Sequence, residues 1–223
     1  VSSAASDVYK RQDEYLPMLS PDGTLLFFTR TSKTKAKGDI TTTRKELFTW
    51  AKRPDERLPF DSGVPLPEPF NLGTNHGGAS ISVDNKLMVL AANRPVPSNP
   101  ANVDLFSTEY HVDYRDLDGS AVYTWSPLVP LGANVNSPLG WEAQPSISSD
   151  GETLFFAAAR KESTPDKDGN LTMDIFMSAR LDNGTWGPAE QLPAPVNSQA
   201  QDKSPFLHPD GRTIYFSSNR LPS

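Results

Sequence analysis

Glu14, His76, Glu142 and Asp202 each stand eight residues before one of four aspartates, Asp22, Asp84, Asp150 and Asp210. Four arginines, Arg30, Arg94, Arg160 and Arg220, close the stretches that follow those aspartates. An acidic column beside a guanidinium column can do two kinds of work. Gathered at one mouth, the two could bind a ligand. Paired across neighbouring strands they tie the fold together, each exposed pair contributing up to ~1 kcal/mol. A hairpin about each aspartate would set Glu142 nearly opposite Arg160 and Asp202 nearly opposite Arg220, which favours the ion-pair reading. His76 interrupts the acidic column in the second copy.

Other candidate chemistry is sparser. Asp166, Asp168 and Asn170, with Asp174 further on, place oxygen ligands at alternating positions, as calcium would want. Leu171 stands where a calcium loop needs Gly and Met177 where it needs a bidentate acid, so a solvated turn is the favoured reading. His76, His111 and His208 lie in different copies and form no zinc pattern. His208 takes a turn slot that carries Ser in other copies. There is no Gly-x-Ser-x-Gly elbow, which argues against a complete serine hydrolase, and His76-Gly77-Gly78 without one reads as a connection. Asp182-Asn183-Gly184-Thr185-Trp186 is one residue short of a sialidase aspartate box and reads as a hairpin turn before a packed Trp.

These residues must be positioned by one element written four times. Ser20-Pro21-Asp22-Gly23, Val83-Asp84-Asn85, Ser149-Asp150-Gly151 and His208-Pro209-Asp210-Gly211 are turns whose aspartates lie 62, 66 and 60 residues apart. Asp bonds its own backbone and Gly accepts positive φ, so each is turn chemistry between two β-rich stretches. Self-similarity at a fixed period reports an array of like supersecondary units. In the third copy the strands read Ser146 to Ser148, Thr153 to Ala159, Asp174 to Arg180, and Trp186 to Leu192. Third strands in the earlier copies are Glu46 to Trp50 and Val103 to Thr108, and no window carries a helical apolar stripe. Four short antiparallel strands per period predict an all-β chain, a β-propeller of about three and a half four-stranded blades. The repeats are expected at 13–74, 75–140, 141–200 and an incomplete 201–223. Connections between successive blades, and the long polar loops Pro95 to Asn102 and Lys161 to Thr172, share one face, the expected recognition surface.

Composition bounds the function classes. The chain has 223 residues, 36% hydrophobic and 22% charged, which suits a soluble globular protein. Twenty-one basic against 27 acidic residues give a net charge of −6 with no basic stripe, so nucleic acid is not an expected partner. No apolar run is long enough to suggest a transmembrane helix, and the absence of cysteine removes disulfides and thiolate metal sites. No cofactor is expected. Residues 1–12 read as a non-native or disordered leader, and the chain reads as a fragment whose remaining blades lie elsewhere in a parent.

The Ser-Pro-Asp-Gly turns, the strands ending at Asn93-Arg94 and Asn219-Arg220, and the later Asp39-Ile40, Asp104-Leu105-Phe106 and Asp174-Ile175-Phe176 resemble the TolB-type, WD-like β-propeller repeat. Gly184-Thr185-Trp186-Gly187-Pro188, Val135-Asn136-Ser137 and Val196-Asn197-Ser198 are similar to propeller segments of bacterial envelope proteins that accompany a peptidoglycan-associated, OmpA-like domain. The resemblance implies a noncatalytic scaffold for protein or glycan partners, located in the periplasm or cell envelope. Two alternatives stand beside it: a sialidase- or glycosidase-like propeller enzyme, and the propeller domain of a larger serine peptidase.

Overall fold

The computed structural model describes residues 12–34, 43–72, 76–93, 102–114 and 121–220. These contain strands and turns and no helix. The first sheet is β1 (Gln12–Leu19), β2 (Leu25–Thr34), β3 (Thr43–Lys52) and β4 (Val64–Pro65), paired in that order. The second is β5 (His76–Ile81), β6 (Leu87–Asn93) and β7 (Val103–Tyr114), with β8 (Ala121–Trp125) and β9 (Val129–Pro130) both pairing β7. The third is β10 (Trp141–Ile147), β11 (Thr153–Ala159), β12 (Asp174–Ala179) and β13 (Glu190–Gln191). A hairpin of β14 (Asp202–Leu207) and β15 (Ile214–Ser218) follows. Every pairing is antiparallel.

The fourfold turn forms as its residues dictate. Ser20 Oγ donates to Asp22 Oδ1 (2.6 Å) and accepts from Leu25 N (2.9 Å). Ser82–Asp84 and Ser148–Asp150 repeat the arrangement. The left-handed slot holds Gly23, Gly151 and Gly211, and Asn85 at φ 61° in the second copy, a residue whose short amide tolerates that region. In the fourth copy His208 replaces the serine, its Nδ1 accepting from Asp210 N at 3.2 Å.

Two features depart from the pattern expected above. The return strand predicted over Trp186 to Leu192 shrinks to Glu190–Gln191 plus a single bridge between Arg180 and Trp186. Pro188, which has no N–H to give a ladder, accounts for the break. In the second sheet β7 runs on past its companions, and Tyr110–Tyr114 pairs with β8 as an added hairpin arm. There Tyr110 lies 4.4 Å from Trp125 between ring centroids, and Trp125 meets Phe70 edge-on at 5.7 Å.

The sheets stack on one another through strand alternation. In β6, Met88 and Leu90 enter a core with Phe27, Phe48, Leu66 and Phe70, while Val89 and Ala91 enter another with Leu105, Leu154, Phe156 and Phe176. Successive side chains of a strand point to opposite faces. The central sheet is therefore covered on both sides, and a fully buried Phe or Leu contributes about 1.5–3 kcal/mol. Contacts run from β1 to β5, from β5 to β10 and from β10 to β14, so the four first strands lie side by side.

Candidate functional site

Those first strands enclose a cleft of about 660 Å³. Each strand enters it through a bulge six residues before its turn aspartate, at Leu16, Gly78, Gln144 and Ser204, with φ of 54°, 65°, 54° and 54°. The register of all four first hairpins slips by one residue there. A bulge bends and twists its strand, and three of these four carry a non-glycine residue in the left-handed region. The walls alternate apolar groups such as Met18, Ile81, Ile147 and Phe206 with the hydroxyls of Ser80, Ser146 and Ser148. No charged side chain lines the cleft among the described residues.

Neighbouring first strands are clasped side chain to backbone. Ile147 N donates to Ser80 Oγ (2.9 Å), Leu207 N to Ser146 Oγ (3.0 Å), and Ser204 N to Gln144 Oε1 (2.8 Å). The Ser80–Ile147 and Ser146–Leu207 bonds join equivalent positions in successive sheets, so that clasp is used twice.

Among the described residues, the acids and arginines of the two columns, Glu14, Glu142, Asp202, Arg30, Arg160 and Arg220, do not line the cleft. Glu142 pairs in register with Ala158, and Asp202 with Ser218. Arg160 and Arg220 sit two residues further on, diagonal to the acids and not opposite them, since each stands ten residues after its turn aspartate while its acid stands eight before it. Both pairs still form: Arg160 reaches Glu142 Oε1 at 3.6 Å and Arg220 reaches Asp202 Oδ1 at 2.6 Å. The same arginines hold the preceding connection. Arg160 donates to Val135 O (2.9 Å), and Arg220 to Pro195 O and Val196 O. Ser137 and Ser198 complete the arrangement, each donating its N–H and hydroxyl to the acid. Arg160 also stacks over Phe176, 4.6 Å from the ring centroid.

Arg30 is not their equivalent. It stands opposite Glu14 in register, bonds it at 2.8 Å, and donates to Ser62 O and Gly63 O of its own sheet. In the second copy His76 pairs with Ala92 along the backbone. The His76 side chain and all of Arg94 lie outside the described residues.

Electrostatics separates the two buried acids. Burial pushes Glu142 up to about 7, outweighing the Ser137 hydroxyl and the Arg160 guanidinium, and Asp104 of the neighbouring sheet pushes the same way. Its Oε2 has no partner. Burial also pushes Asp202 upward, but bonds from Ser218, Arg220 and Ser198 prevail and hold it below the ordinary carboxylate range. Burial is the largest cause at both acids, and it prevails at the more deeply buried Glu142, which lacks a counterpart of the Ser218 bond. Gly140 packs against the Glu142 cluster, where a Cβ would fall 1.9 Å from Ser137 Oγ and 2.5 Å from Glu142 Oε1.

The loop after β11 is held by Asp174. Its buried carboxylate accepts from Thr164 N (2.6 Å), Thr172 Oγ1 (3.2 Å) and Gln191 Nε2 (2.5 Å). Asp166 instead caps its own turn, accepting from Asp168 N and Asn170 N, and those bonds keep its pKa low. Among the described residues no group of three or more His, Cys, Asp or Glu is gathered to hold a metal. Of the other long loop, Pro95 to Asn102, only Asn102 is described; it donates to Asp104 Oδ1 at 2.8 Å.

A third recurrent device is the asparagine before each new sheet. Asn71, Asn136 and Asn197 accept from Phe48 N, Leu105 N and Ile175 N, and each returns its amide to the same residue's carbonyl. The recurrence of Val-Asn-Ser signalled two of the three, and the Asn71 copy has no such flanks.

No protein-family model matches the chain, those for TolB and OmpA included, and no curated protein sequence matches it. Among solved structures it is similar to one of two prolyl endopeptidases described for the role of inter-domain dynamics in catalysis and specificity. The TM-score is 0.34 at 12% identity, over 86% of this chain and 30% of that one. The chain thus spans about a third of that protein's length, and a likeness at this level carries no argument.

Proposed function

We propose that the four sheets form an arc of a β-propeller acting as a noncatalytic scaffold, binding a protein or glycan partner in a bacterial cell envelope. The observation behind this reading is the division of labour between cleft and clasps. First strands from four successive sheets line one shared cleft, as the inner strands of propeller blades line a channel. The acids and arginines that could have worked there are engaged in holding connections to sheets. A glycosidase needs two carboxylates about 5–9.5 Å apart flanking its substrate. The cleft walls offer hydroxyls, prolines and aliphatic groups instead. The envelope assignment rests on the resemblance of the Gly-Thr-Trp-Gly-Pro and Val-Asn-Ser segments alone.

A glycan array and a peptide array probed with the chain, alongside a panel of chromogenic glycosides, test the reading. Saturable binding without turnover is the expected result. Turnover of any glycoside in the panel would overturn it in favour of the carbohydrate-active alternative.

A further inference from the structure

The four first strands differ in how their cleft-facing edges are closed. In an antiparallel pair, alternate residues of an edge strand turn their N–H groups away from the partner. In β5 the ladder bond of Ser82 N to Leu87 O (2.8 Å), carried back in register, leaves Ala79 and Ile81 facing outward. The equivalents of Ile81 are Ile147 and Leu207, whose N–H groups are taken by Ser80 and Ser146 of the preceding sheet. The equivalents of Ala79 are Pro17, Pro145 and Pro205, which have no N–H to offer. Only β5 has neither device. Its residue is Ala79, and the position that would supply a hydroxyl from the first sheet is Met18.

We propose that the inner edge of β5 receives an extended, uncharged peptide segment by strand addition. Two donors two residues apart lie about 6.5 Å along a strand, matching carbonyls i and i+2 of an extended partner. Met18, Ile81, Ile147 and Phe206 give the walls an aliphatic and aromatic character. A charged segment would lose its hydration there with no counter-charge to replace it. The proposal rests on the scaffold reading and names the site and the ligand class within it.

Two substitutions close the edge with residues this fold already carries at the same positions in other sheets. Ala79→Pro removes one donor, and Met18→Ser supplies an acceptor for the other. The 223-residue chain, ¹⁵N-labelled, is titrated with acetyl-Val-Ala-Val-Ala-amide and with acetyl-Val-Glu-Val-Glu-amide. The neutral peptide should shift the Ala79 and Ile81 amides saturably, and each substitution should weaken it about two- to tenfold, one backbone hydrogen bond's share. The acidic peptide should bind more weakly. Equal affinity in Ala79→Pro, or shifts confined to other residues, overturns the proposal. So does slow hydrogen exchange of Ala79 and Ile81 in the free chain, equal to that of Ile147 and Leu207. Protection that grows with concentration would then identify a second copy as the occupant, and constant protection would identify the chain itself. Array binding through another surface would leave the scaffold reading standing while this one fell.

Discussion

Glu142→Gln should change how the stability of the chain depends on pH. The carboxyl is fully buried, Oε2 has no partner, and its folded pKa is about 7 against an ordinary value of 4.5. An acid whose pKa rises on folding holds its proton more tightly in the folded chain. The stabilisation is complete below about pH 4.5 and is lost as pH rises through 7. That rise from 4.5 to about 7 corresponds to about 3 kcal/mol, of which ~2 falls between about pH 5.5 and 8. For a chain of this size that is roughly 4–8 °C in Tm. Glutamine reproduces the protonated acid, keeping an acceptor for Ser137 and Arg160 without a charge to lose. Thermal melts of both proteins across this range should therefore diverge, the wild type falling below the variant as pH rises. Parallel pH profiles would refute the reasoning, because they would mean that Arg160 at 3.6 Å compensates the buried charge.

Asn197→Ala removes an acceptor for Ile175 N and two donations, to Ile175 O and Leu192 O, all beneath the third sheet. Leaving those groups unpaired should cost about 3 kcal/mol or more, read by urea denaturation; a cost below ~0.5 would show that water replaces the amide. Gly140→Ala should destabilise by about 2 kcal/mol or more, since its Cβ would overlap Ser137 Oγ. Adding Ser137→Gly should recover part of that loss, and strict additivity of the two would contradict the clash.

Much of the fold is legible in the repeat because turn chemistry is local. Asp22, Asp84, Asp150 and Asp210 each bond backbone N–H groups two or three residues on, so spacing alone locates the hairpins. The bulges are hidden because Leu16, Gln144 and Ser204 have no marked preference for positive φ; the cleft geometry imposes it. Under the same slip, Arg160 and Arg220 are diagonal to their acids because they stand ten residues after the turn aspartate, while Arg30 stands eight after its own and falls opposite Glu14. The burial of Glu142 beside an exposed-looking Gly-Trp pair depends on packing between two sheets, which no local pattern reports. The added β7–β8 arm reads in sequence as an ordinary long connection.

Repetition and its exceptions carry different information. Where all copies agree, at the turn aspartates, or where successive copies interlock, at Ser80 with Ile147 and Ser146 with Leu207, the residues answer to the demands of stacking one sheet on the next. Those demands are the same in every sheet, so a position that departs from them without loss of the fold is released from that duty. Ala79 among three prolines, and Met18 where the next two sheets carry Ser80 and Ser146, are two such departures, and they fall on the same edge of the same cleft. Either one alone would leave a single stray donor, too little to select a partner. Together they leave a pair at the repeat of an extended chain, which is the smallest unit by which a strand recognises another.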